Sequence, residues 1–196
     1  MGVEIEKQTL APSGDSYGNG LTGVETMPRD AYLALGMALG TSGLMKWAYF
    51  TPQRTVTCTK IVTSAAGTAA GATPTMCRIG FYSVAANGDM TLVCRSANNT
   101  GLWATINAEY EEAMATAGGY PSSYTFVAGQ RYAGAAICVS GATIPTLAGH
   151  AFPNAAMAVR EPRLVGQLSG QTDLPASIAA GSVANGGQRL WLAAVA

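Results

Sequence analysis

Charge is the first thing this chain has little of. Asp, Glu, Lys and Arg together make 11% of its 196 residues, against roughly 25% in an ordinary soluble domain. Eleven basic residues face eleven acidic ones, and no run of one sign stands out. A basic footprint for nucleic acid is therefore missing, and so is a polybasic membrane patch. No stretch of eighteen apolar residues occurs, so no membrane-spanning helix is expected. The opening Val3-Glu4-Ile5-Glu6-Lys7 lacks the apolar core of a signal peptide. Histidine is limited to His150, which leaves little material for general-base or metal chemistry. The four cysteines, Cys58, Cys77, Cys94 and Cys138, form no C-x-x-C pair, and each lies inside an apolar, strand-like run. They read as small buried hydrophobes with free thiols in a protein made in a reducing cytoplasm, rather than as a disulfide framework. Solubility must rest on Ser, Thr, Asn, Gln and Gly, a surface common on proteins that pack into large assemblies.

A chain of this length can bury about 70% of its unfolded surface in one domain. Residues 1–24 are polar and broken by Pro12, Gly14, Gly18, Gly20 and Gly23. They read as an extended N-terminal arm preceding a domain over 25–196. Residues 27–44 allow a short, glycine-weakened helix or an irregular crossover. Beyond that point the pattern is of strands. "LMKWAYFT", "RTVTCTKIVTSA", "SYTFVAGQRYAGAAICVSGA", "RLVGQLSG" and "QRLWLAAV" are rich in β-branched and aromatic residues and are separated by turn signals. "TIPTLAGHAF" reads as a short edge strand because of Pro145. The pattern indicates a mainly β fold, an antiparallel sandwich of jelly-roll type. In the final run Leu190 and Leu192 alternate with Trp191, so both faces of that strand are expected to be covered.

The stretch "FYSVAANGDMTLVCRS" carries Asn87-Gly88 between two apolar runs, the strongest short-range hairpin signal. A two-residue loop places Ala86 opposite Asp89, Ser83 opposite Leu92 and Phe81 opposite Cys94. One face would then hold Ile79, Phe81, Met90, Leu92 and Cys94, and the other Tyr82, Val84, Thr91, Val93 and Arg95. Asp89 is read as a turn residue, since a calcium site needs six or more oxygens from several groups. Residues 105–121 admit two readings. Ile106, Tyr110, Ala113 and Ala117 have helical spacing, while Tyr110–Met114 also alternates as a strand.

Several motifs fail their context tests. Gly18, Gly20 and Gly23 match G-x-G-x-x-G but follow no strand, and Pro28 interrupts what comes next. Gly14-Asp15-Ser16 has the look of an esterase nucleophile block, yet Leu147 stands where an acid should precede the single histidine. Glu109, Glu111 and Glu112 crowd one short segment, whereas glycosidase carboxylates straddle a bond. No cofactor and no metal are expected. Trp103, Tyr120 and Tyr124 cluster in sequence near Gly118, Gly119 and Pro121. On loops at the end of a sandwich such aromatics can stack on sugars or anchor a partner; otherwise they fill the core.

Three blocks, "CRIGFYSVAANGDMTLVCRSANNTGLW", "GGYPSSYTFVAGQRYAGAAICV" and "GQTDLPASIAAGSVANGGQRLWL", together resemble the β-sandwich minor tail, fibre or decoration proteins of phages that infect actinobacteria. The likeness runs from about Glu25 to the end of the chain. It implies a non-enzymatic virion component, often oligomeric, with a trimer favoured and other virion subunits as partners. A cell-surface glycan is a further candidate partner. The resemblance also favours the extended conformation for Tyr110–Met114. Two placements follow: a minor tail or fibre-type protein facing the host, or a capsid decoration protein clasping the shell with its arm. A wall-glycan hydrolase is a distant third. Within the arm, Val3, Ile5 and Leu10 are the candidate docking residues.

Overall fold

The computed structural model describes residues 23–28, 37–152, 156, 158 and 160–196. The candidate arm residues Val3, Ile5 and Leu10 lie outside them, as do residues 29–36 of the segment read as a helix or crossover. Within its described part, Met37–Ala38 is a short strand.

Two antiparallel sheets form the body. The larger has six strands in the order β13 (Val165–Leu168), β3 (Met45–Phe50), β10 (Tyr132–Ser140), β6 (Pro74–Val84), β7 (Met90–Arg95) and β14 (Ser177–Ile178). The smaller has four, in the order β1 (Gly23–Glu25), β16 (Leu192–Val195), β5 (Lys60–Ser64) and β8 (Glu109–Ala113). Three two-stranded ladders finish the edges: β2 (Met37–Ala38) with β11 (Thr146–Leu147), β4 (Val56–Cys58) with β9 (Tyr124–Phe126), and β12 (Gly149–Ala151) with β15 (Gln188–Leu190). The chain passes repeatedly from one sheet to the other, as in jelly-roll and Greek-key sandwiches. The expected mainly β antiparallel sandwich is what the chain forms. Its first described strand, β1, begins at Gly23, and Val24 is already in the core.

The main core lies between the sheets. Ile79, Phe81, Cys94 and Ala136 of the larger sheet meet Ile61, Leu190, Leu192 and Ala194 from the other side. Strand β10 runs through the middle and reads Tyr-Ala-Gly-Ala-Ala-Ile-Cys-Val-Ser. Its small side chains let the layers approach closely. A Cβ on Gly134 would stand 2.7 Å from Thr26 Cγ2 and 2.9 Å from Phe81 Cε1. All four cysteines are free and buried. Cys77 and Cys138 face each other across β6 and β10, their sulfurs 3.6 Å apart.

The outer face of the larger sheet is buried as well. Met45, Trp47, Tyr82, Met90, Leu92 and Ile137 form a second cluster there, covered by Leu174 and Ile178. These belong to a strap over residues 169–184 that has little regular structure and is fastened at several points. Arg78 and Arg95 both reach Asp173, Tyr82 Oη donates to Pro175 O at 2.9 Å, and Leu92 N donates to Ala176 O at 2.9 Å. Trp191, Met27 and Val62 cover the outer side of the smaller sheet. The final run therefore has both faces covered, as its alternation indicated, but it is divided at Trp191 between β15 and β16, which pair in different sheets.

The hairpin is present with a different turn. Gly88 N donates to Ala85 O at 2.9 Å and Ala85 N to Asp89 O at 2.8 Å, so the loop has three residues, Ala86-Asn87-Gly88. Gly88 takes the positive φ of 87° that closes such a loop. The extra residue moves the register by one. Val84 pairs with Met90 and Tyr82 with Leu92, placing Met90 and Leu92 on the outer face instead of beside Phe81. A bulge at Val93 then restores the expected pair of Phe81 with Cys94. Residues 109–113 are strand: the ladder with β5 pairs Val62 with Glu111 and Thr63 with Tyr110, and tertiary pairing overrides the helical spacing.

Candidate functional site

The three candidate aromatics are not brought together. Trp103 is fully buried in the main core, with Nε1 3.4 Å from Thr63 Oγ1. It fills the core and has no surface for a partner. Tyr120 is half-buried against the outer cluster, beneath the Arg95 guanidinium, which lies 4.5 Å from its ring centre. Tyr124 is half-buried at one end of the sandwich. Its ring is held edge-on by Phe126 at 5.1 Å and by Tyr132 at 6.1 Å. Burial and a bond with Tyr132 push its hydroxyl well above the usual phenol range, so the proton stays in place.

Tyr124 borders a groove of about 410 Å³. Its floor follows from the register of three strands. Tyr132 of β10 faces Ser83 of β6, which faces Thr91 of β7, so the three side chains stand in one row on one face. Asp89 and Gln130 stand at the ends of the row, and Val127, 49% exposed, forms an apolar shoulder.

The polar groups here are held in place from behind. Asp89 Oδ1 accepts from Ala180 N at 2.8 Å, and Asp89 Oδ2 accepts from Asn87 Nδ2 at 2.7 Å. Gln130 Nε2 donates to Val84 O at 2.9 Å and to Arg131 O at 3.1 Å, which fixes its amide plane. Asp89 is the lone charged residue on the lining.

No protein-family model matches the chain, and no curated protein does.

A second concavity, about 400 Å³, lies beside β1 at the rim of the smaller sheet. Val24, Met27 and Phe50 give it apolar walls, and the charged residues Glu25, Arg54 and Arg189 line it. Arg189 bonds to Thr26 O and, at 3.2 Å, to Tyr49 O.

The remaining sequence candidates serve other ends. Glu111 pairs with Lys60 at 2.6 Å, while Glu112 accepts from Asn99 Nδ2 at 2.6 Å. These carboxylates sit on an edge strand whose charges discourage pairing with another chain. His150 stacks edge-on with Phe152, the ring centres 5.7 Å apart. Among the described residues no three His, Cys, Asp or Glu side chains gather to hold a metal ion. Sequence reasoning found Tyr124 and singled out Asp89 as a turn residue. It missed Ser83, Thr91 and Gln130, whose convergence depends on a register that the turn signal alone misplaces.

Proposed function

We propose that the chain is a structural component of a phage virion, a minor tail or fibre-type protein that presents its β-sandwich at the particle surface and carries no catalytic activity. Its partners are other virion subunits, with self-association into a trimer, and its place is the virion after synthesis in the host cytoplasm. The observation that carries the reading is where the resembling blocks fall. They supply most of β6 and all of β7, β9, β14 and β15, nearly all of β10, together with the strap, so the likeness lies in the framework of a sandwich. Three charged groups within those blocks support it: Arg78, Arg95 and Asp173 are spent on fastening the strap.

The decoration reading is supported by the rim of the smaller sheet. The chain enters the sandwich through the edge strand β1, preceded by 22 residues and flanked by the cleft with Arg54 and Arg189. Fully extended, 22 residues reach about 70 Å, enough to cross a neighbouring subunit.

Quantitative mass spectrometry of purified particles of the source phage tests both readings. A few copies per particle in a multiple of three or six are expected for the tail component. Hundreds of copies would move the chain to the capsid, and its absence from particles would sink the proposal. Deleting residues 2–22 should leave melting nearly unchanged under either placement. Loss of incorporation in that variant identifies the arm as the attachment element.

A further inference from the structure

We propose that the groove between Tyr124 and the Ser83–Thr91 row binds an uncharged carbohydrate. Its chemistry matches such a ligand on each side. The sugar's C–H face needs an apolar surface, and Tyr124 with the exposed Val127 provides one. Hydroxyl groups need acceptors and small hydroxyls at fixed positions. Asp89 and Gln130 are already locked by their own backbone and side-chain partners, so they offer lone pairs without losing further side-chain entropy. Ser83 and Thr91 add hydroxyls along the floor. No Lys or Arg lines the groove; a sialylated or uronic chain would meet only the Asp89 carboxylate, and repulsion selects against it. A volume of about 410 Å³ lies in the usual range for small-ligand sites.

The hairpin irregularity gives this groove its polarity. In a regular two-residue hairpin Ser83 would face Leu92, and Leu92 and Met90 would line the floor. The three-residue turn sends both to the outer cluster and puts Thr91 opposite Ser83. The bulge at Val93 then returns Cys94 to the main core. Bulges that re-aim side chains recur next to binding sites, and here one turn and one bulge exchange two large apolar side chains for a hydroxyl.

The inference gives a site to the glycan partner that the resemblance implies; it stands on the chemistry of the groove and is tested separately from the virion assignment, on the isolated full-length chain. Saturation-transfer NMR and calorimetry would be run with two- to four-unit oligomers of glucose, galactose, mannose, arabinose and N-acetylglucosamine, with an oligogalacturonate as the charged control. At least one neutral oligomer should bind saturably, and the control should not. Tyr124→Ala should weaken binding at least about tenfold. Thr91→Val, at an exposed position, should weaken it with the melting temperature unchanged. The proposal fails if no neutral oligomer binds up to about 10 mM, if the charged control binds better, or if both variants bind like the parent.

Discussion

Removing one residue from the middle of a strand normally inverts every side chain beyond it. Val93 is an exception that this structure defines. It is the bulged residue of β7, so its deletion joins Leu92 directly to Cys94 while keeping Tyr82 opposite Leu92 and Phe81 opposite Cys94. Regular alternation then sends Leu92 outward and Cys94 inward, where both already are. What is lost is the half-buried Val93 side chain. Against about 1.5–3 kcal/mol for a fully buried aliphatic side chain, that is about 1 kcal/mol. Deleting Thr91 makes Met90 and Leu92 neighbours on a strand. They must then point to opposite faces, and one of two side chains now 1% and 5% exposed leaves the outer cluster. That loss, with the void it opens, is worth about 2–5 kcal/mol. Urea unfolding of the two deletions, with labelling of Cys94 as a reporter of the main core, separates these outcomes. At about 2–4 °C per kcal/mol for a domain of this size, the melting point should fall by a few degrees for Val93 and by roughly 5–20 °C for Thr91. If losing Val93 is as damaging as losing Thr91, or exposes Cys94, the compensating turn and bulge are not the basis of the register.

Trp103→Ala should destabilise by about 3–5 kcal/mol because the indole is fully buried in the main core; a melting point within a few degrees of the parent would contradict that placement. Asp173→Ala leaves the Arg78 and Arg95 side chains, 10% and 14% exposed, without their shared carboxylate. With Asp173 itself 36% exposed, solvent screening limits the loss to about 1–3 kcal/mol, and limited proteolysis should cut first within 169–184; cleavage elsewhere would show that the strap is held by other contacts. Burial raises the Cys58 thiol to about 11. Above pH 9 the unfolded chain gives up that proton before the folded one does, so stability falls as pH rises from 9 towards 11. Urea midpoints across this window should drop less steeply in Cys58→Ala, and parallel slopes would show that Cys58 is not responsible.

How far the sequence could be read depended on how local each signal was. Met45–Phe50 and Lys60–Ser64 sit where their aromatic and β-branched residues placed strands, because those residues suit a pleated, half-buried surface. Residues 109–113 carried both periods, and the partner strand Lys60–Ser64 decides between them, a choice no local window contains. Asn87-Gly88 marked the turn correctly but not its length, since Ala86 joins the loop without any residue type announcing it. The strap was illegible for a related reason. Leu174 and Ile178 stand four apart, a spacing open to helix and strand alike, with Pro175 between them to interrupt either, and the Arg78–Asp173 contact spans 95 positions. Tyr124 could be flagged as an aromatic near turn residues, but its polar companions come from β6, β7 and the start of β10 and meet only once the register is set.

The position of β16 bears on how the molecule comes into being. This strand lies inside the smaller sheet, between β1 and β5, so among the described residues the first strand is paired in the sheet with residues far along the sequence, Ala193 to Val195. The Thr26–Leu192 bonds that finish this seam join positions 166 apart. Closing a loop of that length costs about 4–5 kcal/mol of chain entropy, and contacts of such separation slow folding. Until residues 190–195 have been made, β5 has β8 on one side but not β16 on the other, and the main core lacks Leu190, Leu192 and Ala194. The larger sheet must wait in a partly covered state until synthesis reaches residue 195, so during that interval nascent chains at high local concentration are open to pairing with one another.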